Sequence, residues 1–568
     1  MRVNRKTFVK TCAGAAACAS LGSWPGIWAA GETPADLLLL NGAVVTLGGA
    51  AAEGTALAVK GDRVLAVGSD QALSAHRGDR TRVVDLKGRG VSPGLIDAHS
   101  HLMSYGIMEL LMVNIRPPRV HNFGSLGHVL QEAAAKRRPG EWIMARGYQE
   151  FDEGRWPLRR DLDKMVPRNP LLCIHWSGQF GLANTLALEK AGLFTAGVKD
   201  PYGGVIMKDR RDSLPNGGLI NYPAIYSVYK PERTEQESQE SARWGIARFV
   251  EQGVTCVHDN FADARSIRAY RQLEAAGDLP LRIRVYPYVA NLQTCQQAIA
   301  TLPPDRGPLV RLSGIKLAVD GYALMYDVPE GHREFAIPMH PQETFEQIVA
   351  TIHRAGRQAD VHAVGDKGVD WTLAAFEKAC GGRRQNRERR HRIEHFPFFK
   401  EDTLRKAAEM GVPVCSQPYA IDFRADDFIG RNDRLTRQQI QTFCPCKTML
   451  KEGIPLAFGA DVPAFPSMRP LASIRRAMSR KTAKGRQLDV GERLTFMEAL
   501  RVHTLGSAYA ASDEKELGSL EPGKAADFVV WNRDLPSVVN AAAVKGLAVQ
   551  ATFLAGKAVY KAGGVTDL

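Results

Sequence analysis

An apolar run, Val91-Ser92-Pro93-Gly94-Leu95-Ile96-Asp97-Ala98-His99-Ser100-His101-Leu102, ends in two histidines one residue apart. Side chains alternate along a strand, so His99 and His101 share a face. Two imidazoles on one face of a strand end can hold a cation. Asp97 lies on the same face and could orient a ligand from behind. Alone, such a pair reads more simply as polar residues leaving a strand for a loop, but later residues argue against that. His362 closes Gln358-Ala359-Asp360-Val361-His362, His395 closes Arg392-Ile393-Glu394-His395, and Asp461 closes the apolar run from Pro455. Lys316 sits inside Ser313-Gly314-Ile315-Lys316-Leu317-Ala318-Val319-Asp320-Gly321. Singly, these read as a satisfied histidine, a helix-capping aspartate or a snorkelling lysine. Together they put four imidazoles, a carboxylate and a lysine on strand-like segments, and imidazole with carboxylate suits Zn²⁺ and similar ions.

These residues need elements that carry them to one place. The middle of the chain alternates apolar strand and amphipathic helix: 253–258 then 262–276, 358–364 then 368–380, 392–395 then 400–410, 455–460 then 470–480. Repeated units of this kind predict an α/β fold with a parallel sheet under covering helices. Eight of them closed as a barrel would gather strand C-termini on one face. Residues 36–92 read as short strands, with 37–46 as one strand and a hairpin about Gly61-Asp62. That texture returns at 527–531, 549–554 and 557–560. Residues 103–240 read as a large irregular insertion over one barrel face.

The order HxH, Lys, His, His, Asp resembles that of the metal-dependent amidohydrolase superfamily. Surrounding phrases narrow the likeness to the YtcJ-like amidohydrolase group, amidohydrolase family 3. They are Gly147-Tyr148 near Trp156-Pro157, Ser177-Gly178 before Asn184, Gly253-Val254-Thr255, Ile315-Lys316 before Asp320-Gly321, Val361-His362-Ala363-Val364-Gly365-Asp366, Arg392-Ile393-Glu394-His395, and Gly518-Ser519-Leu520-Glu521-Pro522-Gly523-Lys524-Ala525-Ala526-Asp527. The likeness covers about residues 36–562. It departs at Gln179, where the group often has histidine. It implies a (β/α)8 TIM-like barrel over 93–512 beside a small β-sandwich built from both chain ends, 31–92 and 513–568. It also implies one or two divalent ions, most often zinc. By resemblance His99, His101 and Asp461 hold one ion, His362 and His395 the second, and Lys316 bridges as N6-carboxylysine. An ammonium has no lone pair for a metal, so Lys316 is either that carbamate or a cation behind the ligands.

The expected chemistry is hydrolysis of an amide or other non-peptide C–N bond in a small-molecule substrate. Metal lowers the pKa of bound water toward ~7. Asp461 would take the water proton and pass it to the leaving amine, and His395 or His362 would steady the developing oxyanion. A deaminase is the nearer rival, but its usual Glu three residues after a histidine ligand is absent from Ala363-Val364-Gly365. Cyclic amides, carbamates and lactones stay open as substrates. A non-catalytic periplasmic binding protein is the rival of a different class, and it has no need of a metal-hydroxide site. Gln179, Trp176, Tyr148 and Asp320 are candidate substrate contacts; Trp142, Trp156 and Phe180 could line an apolar pocket, although such aromatics are more often core.

The 568 residues are 45% hydrophobic and 24% charged, a globular composition that excludes disorder and collagen. The net charge of +13 is modest, and the basic runs at 383–390 and 475–486 read as solvated faces, not a nucleic-acid surface. Residues 1–30 carry Arg2, Arg5, Lys6 and Lys10, then an Ala-rich apolar stretch with a small-residue end, the layout of an export signal. Asn4-Arg5-Lys6-Thr7-Phe8-Val9-Lys10 resembles a twin-arginine motif with Lys6 in the second arginine's place, which implies a periplasmic or exported protein. No later apolar run reaches the ~18 residues of a membrane span. Seven of nine cysteines lie beyond the leader without a CxxC pair, so neither a disulfide framework nor a zinc ribbon is expected. A homodimer is left open.

Overall fold

The computed structural model describes residues 33–49, 53–229, 232–302, 307–321, 323–326, 336–398, 400–422, 425 and 437–568. Residues 1–30, read from the sequence as an export signal, lie outside these. Nine parallel strands carry the strand-end residues. Val310–Leu312, Arg282–Pro287, Val254–Ala262 and Leu95–Ser100 form one sheet in that spatial order. Gly314–Ala318, Gln358–Ala363, Arg392–His395, Val414–Ser416 and Leu456–Phe458 form the other. Leu95–Ser100, Gly314–Ala318 and Gln358–Ala363 are buried throughout, as parallel strands covered on both faces must be.

No ladder joins the two sheets among the described residues, but their edges meet. At one seam Tyr288 bridges Lys316. At the other, Asp461 N donates to His99 O at 2.7 Å and His101 N to Val462 O at 2.8 Å. Gly459 makes the second approach possible, since a Cβ there would come within 2.5 Å of the His99 backbone nitrogen.

Helices follow the strands where the pattern predicts them, at Ala264–Ala275, Asp366–Cys380, Glu401–Met410 and Pro470–Ser479. Asp263 caps the first by accepting from Ser266 N at 2.8 Å, while Gly381 and Gly411 end the next two at φ of 74° and 61°. Gln342–Arg354 buries Phe345, Ile348, Val349 and Ile352 as one stripe.

The chain ends pair as expected, with one break. Leu37–Leu40 and Ala43–Val45 are separate strands in different sheets, because Asn41 turns the chain at φ 56°. The first belongs to a four-stranded sheet from residues 37–85. The second belongs to a six-stranded sheet that also takes Gly90–Pro93, Phe528–Trp531, Val549–Leu554 and Lys557–Lys561. Leu37, Leu57 and Val84 of the first sheet pack in one cluster with Val44, Val91, Phe528 and Phe553 of the second.

The 103–240 region is not irregular. It contains a six-stranded mixed sheet including Ile143–Tyr148, Leu171–His175, Phe180–Ala183 and Pro215–Ile220. Ile143, Ala145, Leu171 and Cys173 face one apolar cluster, and Met144, Leu172, Ile174 and Leu219 another. Burial on both faces removes the polar alternation that would have marked these strands. No helix among the described residues is long and apolar enough to cross a membrane.

Candidate metal centre and its cavity

The expected ligands converge where the two sheets meet. Asp461 Oδ1 lies 3.1 Å from His101 Nε2 and 3.3 Å from His99 Nε2. His395 Nε2 lies 2.8 Å from His362 Nδ1, and the His99 and His395 rings are 4.9 Å apart. One donor atom each from His99, His395 and Asp461 falls within 4.8 Å of the others. The strands alone do not achieve this. His395 sits at φ 80° and Asp461, three residues beyond the Leu456–Phe458 strand, at φ 53°. Such left-handed backbone is costly for these residue types and is kept where the surroundings enforce it. Here the hydrogen bond from Asp461 N to His99 O and that from Phe396 N to Ala363 O, 3.2 Å, hold the two turns.

The outward nitrogens of the rings fix the inward ones. His99 Nδ1 hydrogen-bonds the Glu394 carboxylate. His395 Nδ1 donates to Gln417 Oε1 at 2.7 Å, and Gln417 Nε2 donates to Cys415 O at 3.1 Å, which sets the amide's orientation. His362 Nε2 donates to Gly321 O at 2.9 Å. His362 and His395 therefore turn an unprotonated nitrogen inward, as metal-binding histidines do. The inward nitrogens of His362 and His395 face each other with no proton between them, His99 Nε2 is buried without a hydrogen bond, and His101 turns its Nε2 to Asp461. These inward nitrogens and the Asp461 carboxylate fit a divalent cation of the zinc type.

Electrostatics favour positive charge at this point. Burial opposes a charged His99, but the Glu394 carboxylate overrides it and lifts the ring to about 9. Burial also opposes a charged Asp461, yet the His101 and His99 rings hold its carboxyl well below the usual range. Burial, with the His99 charge and Lys316 nearby, pushes His395 down to about 3, so its ring is neutral.

Behind the ligands lies a buried polar layer. Lys316 Nζ donates to Asp360 Oδ1 at 3.2 Å, and Asp360 Oδ2 accepts from Asn260 at 2.5 Å and Arg392 at 3.1 Å. Arg392 Nε lies 2.7 Å from Glu394 Oε1, and its guanidinium stacks 4.4 Å from the Tyr286 ring. Asp97 does not orient the His99 ring; Glu394 does. Asp97 accepts from His99 N at 3.1 Å, Ser100 Oγ at 2.9 Å and Ala460 N at 3.1 Å, tying the first strand to the segment before Asp461.

A cavity opens over the centre, lined by the ligands and by Arg146, Gln179, Tyr222, Phe261 and Phe398 among others. Gln179 Nε2 donates to Gly321 O at 2.7 Å, the same carbonyl that fixes His362. Trp176 is half-buried against Phe465, a cavity residue, with ring centres 5.8 Å apart. Two expected contacts are corrected. A β-bulge at Gly147 turns the Tyr148 ring into the insertion's apolar cluster. The Asp320 carboxylate instead accepts backbone N–H groups of Leu324, Val364 and Gly365 at 2.8–3.2 Å. Trp156 and Phe180 pack on each other beside Tyr148 and His175. Arg146, Asp360 and Glu394 escape the sequence reading, although Asp360 alternates with His362 and Arg392 with Glu394 on buried strands.

His353, Cys380 and His391 form another group of ligand-type side chains. There His391 Nδ1 accepts from Ala359 N at 2.9 Å, so Nε2 carries the proton and donates to His353 Nδ1 at 3.0 Å. That tautomer satisfies the ring and leaves no inward lone pair for an ion.

Strand-end histidines and an aspartate gathered by parallel sheets define a metal-dependent hydrolase of the α/β class. Residues 82–560 match the amidohydrolase family, and the chain belongs to it. The N-substituted formamide deformylase of Arthrobacter pascens is 25% identical over 93% of this chain and 99% of its own. The putative amidohydrolase YtcJ of Bacillus subtilis is 27% identical over 87% and 93%. An uncharacterized metal-dependent hydrolase from Pyrococcus furiosus superposes with a TM-score of 0.67 at 25% identity, over 88% of this chain and 99% of that one.

Proposed function

We propose that this enzyme hydrolyses an amide or other non-peptide C–N bond of a small molecule with the help of one or two divalent ions, most often zinc. The observation that carries the reading is the set of tautomer-fixed imidazoles whose bare nitrogens converge with Asp461 beneath an open cavity. His99, His101 and Asp461 would hold one ion, and His362 and His395 a second. A bound ion supplies a hydroxide-like nucleophile near neutral pH and polarises the substrate carbonyl. Asp461, kept ionised by its neighbours, accepts the water proton at a carboxylate oxygen and returns it to the leaving nitrogen. His395, with its Nδ1 proton held by Gln417, presents Nε2 to the centre as a lone pair, so it would serve as a ligand and not as a donor to the negative charge that develops. The absence of a glutamate in Ala363-Val364-Gly365 supports amide hydrolysis over deamination. The deformylase relative makes N-substituted formamides the first compounds to try, beside N-acyl amino acids, carbamates and cyclic ureas.

Chelation is expected to abolish turnover, and Zn²⁺, Mn²⁺ or Co²⁺ to restore it. Asp461→Ala is expected to lower kcat by about 10²–10⁴-fold. Full activity in metal-free enzyme would overturn the reading.

Lys316 is proposed to carry an N6-carboxylate that bridges two ions, supported by its burial on the cavity wall. The Nζ contact with Asp360 supports the other reading, an ammonium behind a single ion. Two metals per chain with a CO₂ adduct in native mass spectra favour the first, and a fully active one-metal enzyme without the adduct the second. Contacts across both seams, with Ser313 alone between Val310–Leu312 and Gly314–Ala318 so that the nine segments make eight strands, support reading the two parallel sheets as one (β/α)8 barrel, and the shared apolar cluster supports a β-sandwich of both chain ends. Export through residues 1–30 rests on sequence alone, and a reporter fused to residues 1–35 tests it by reaching the periplasm or staying inside.

A further inference from the structure

The cavity holds a polar feature that metal chemistry does not use. Arg146 lines it from the inserted sheet. Its Nε is buried without a hydrogen-bond partner, and no carboxylate among the described residues pairs with its guanidinium. Nearby Arg116 is paired, with Nη2 2.6 Å from Glu109. Buried charges are ordinarily paired, because an unpaired one is costly to keep out of water. Burial and the Arg116 charge work against the Arg146 cation, while Asp461 across the cavity favours it without forming an ion pair, and a guanidinium stays protonated in proteins.

The strand is shaped to present this group. The register between Ile143–Tyr148 and Leu171–His175 shifts between Arg146 and Tyr148, with Gly147 at φ 111°. A regular strand would set Tyr148 on the same side as Arg146. The bulge sends Tyr148 to the opposite cluster with Ile143 and Ala145, so Arg146 alone of this strand meets the cavity.

A second unmet group faces the same space. Gln179 Nε2 is fixed on Gly321 O, which leaves Oε1 as the free end of the amide, buried and without a donor. The remaining wall is largely aromatic, with Tyr222, Phe261, Tyr288, Phe398 and Phe465. A molecule that satisfies all three features carries a planar anion for the guanidinium fork, an N–H for Gln179 and an apolar group for the aromatic wall. A carboxylated amide of the N-acyl amino acid type has each of these.

We infer that Arg146 recognises the carboxylate of the substrate, that Gln179 Oε1 accepts the scissile amide N–H, and that the substrates are N-acyl amino acids or closely similar amides. The inference rests on the amide-hydrolase reading above and narrows it.

The test compares matched pairs on metal-loaded enzyme, N-formyl-phenylalanine against N-formyl-phenethylamine and the N-acetyl equivalents. The carboxylated member is expected to have the higher kcat/KM by about 30-fold or more, as for a buried charge pair. In Arg146→Met that ratio should collapse toward one, and in Arg146→Lys it should fall between. Because the variant removes a half-buried cation that has no carboxylate partner, Arg146→Met should melt at or above the wild-type Tm. Equal use of both members by the wild type, or a ratio unchanged in Arg146→Met, overturns the inference. A variant that only loses stability while keeping the ratio overturns it as well, since Arg146 would then be structural. Calorimetric binding of 3-phenylpropionate against 3-phenylpropionamide separates this inference from the wider reading. Carboxylate binding that weakens about 30-fold in Arg146→Met, in an enzyme that turns over no amide, would remove amide hydrolysis and leave anion recognition standing. Binding insensitive to Arg146 would place the carboxylate on the metal and remove the inference itself.

Discussion

Glu394 offers nothing to the inward side of the centre, yet it decides which nitrogen of His99 can bind. Its carboxylate accepts a hydrogen bond from Nδ1 and so makes Nε2 the nitrogen that faces the centre. Burial alone would push Glu394 up, but Arg392 and His99 hold it well below the usual carboxylate range. Glu394→Gln keeps the shape and removes the charge that makes His99 a strong ligand. It is expected to weaken metal binding by about 10–100-fold, measured by competition with a chromophoric chelator. Unchanged affinity would mean that the histidine needs no anion behind it. The candidate ligands were legible as a set, since no single strand-end histidine or aspartate carries that reading alone. Glu394 was harder to assign because His395 follows it directly, and on a regular strand the two would face opposite ways. The left-handed φ at His395 turns its ring back toward His362 while Glu394 reaches His99. Residue order carries no sign of that turn.

Among the elements, the edge between Leu95–Ser100 and Leu456–Phe458 governs the centre's geometry, since His99, His101 and Asp461 meet across it. Gly459 sets the spacing, and Gly459→Ala would press a methyl group into the His99 backbone. Overpacking of this kind costs about 1–3 kcal/mol, and the variant should also bind less metal because its ligands are forced apart. Gly453→Ala is the comparison: φ there is 77°, but nothing lies within 4 Å of the added carbon. It should lose local backbone stability and keep its metal. Denaturant unfolding with metal analysis distinguishes the two, and equal metal content would show that the edge does not set the site. Strand–helix units such as Gln358–Ala363 with Asp366–Cys380 were legible because each switches hydrophobic period from two to 3.6. The inserted sheet was not, since clusters on both its faces erase the alternation that separates strand from loop.

Across the whole molecule, acid tolerance is set partly by buried histidines outside the candidate metal centre. Burial, then the neighbouring His353 and Arg389, push His391 down to about 3. Burial pushes His503 and His340 down to about 4. In an unfolded chain each would titrate near 6.5. Above that pH all three are neutral in both states and their contribution to stability is complete. Below it the unfolded chain takes up protons that the folded chain refuses, so stability falls as pH drops from about 6.5 toward 4, and on toward 3 for His391. Each refused proton is worth up to about 1.4 kcal/mol per pH unit. Metal release in acid adds to the loss, so the histidine share is isolated by substitution. His391→Gln can still offer an acceptor to Ala359 N–H, but it carries no proton-linked charge. Compared at equal metal loading, it should start below wild type at pH 8, through lost packing against Phe376, and lose stability less steeply below pH 6.5. The two curves therefore converge as the solution is acidified. Parallel curves of Tm against pH would mean that His391 takes up its proton without unfolding, and that the acid response lies in other groups.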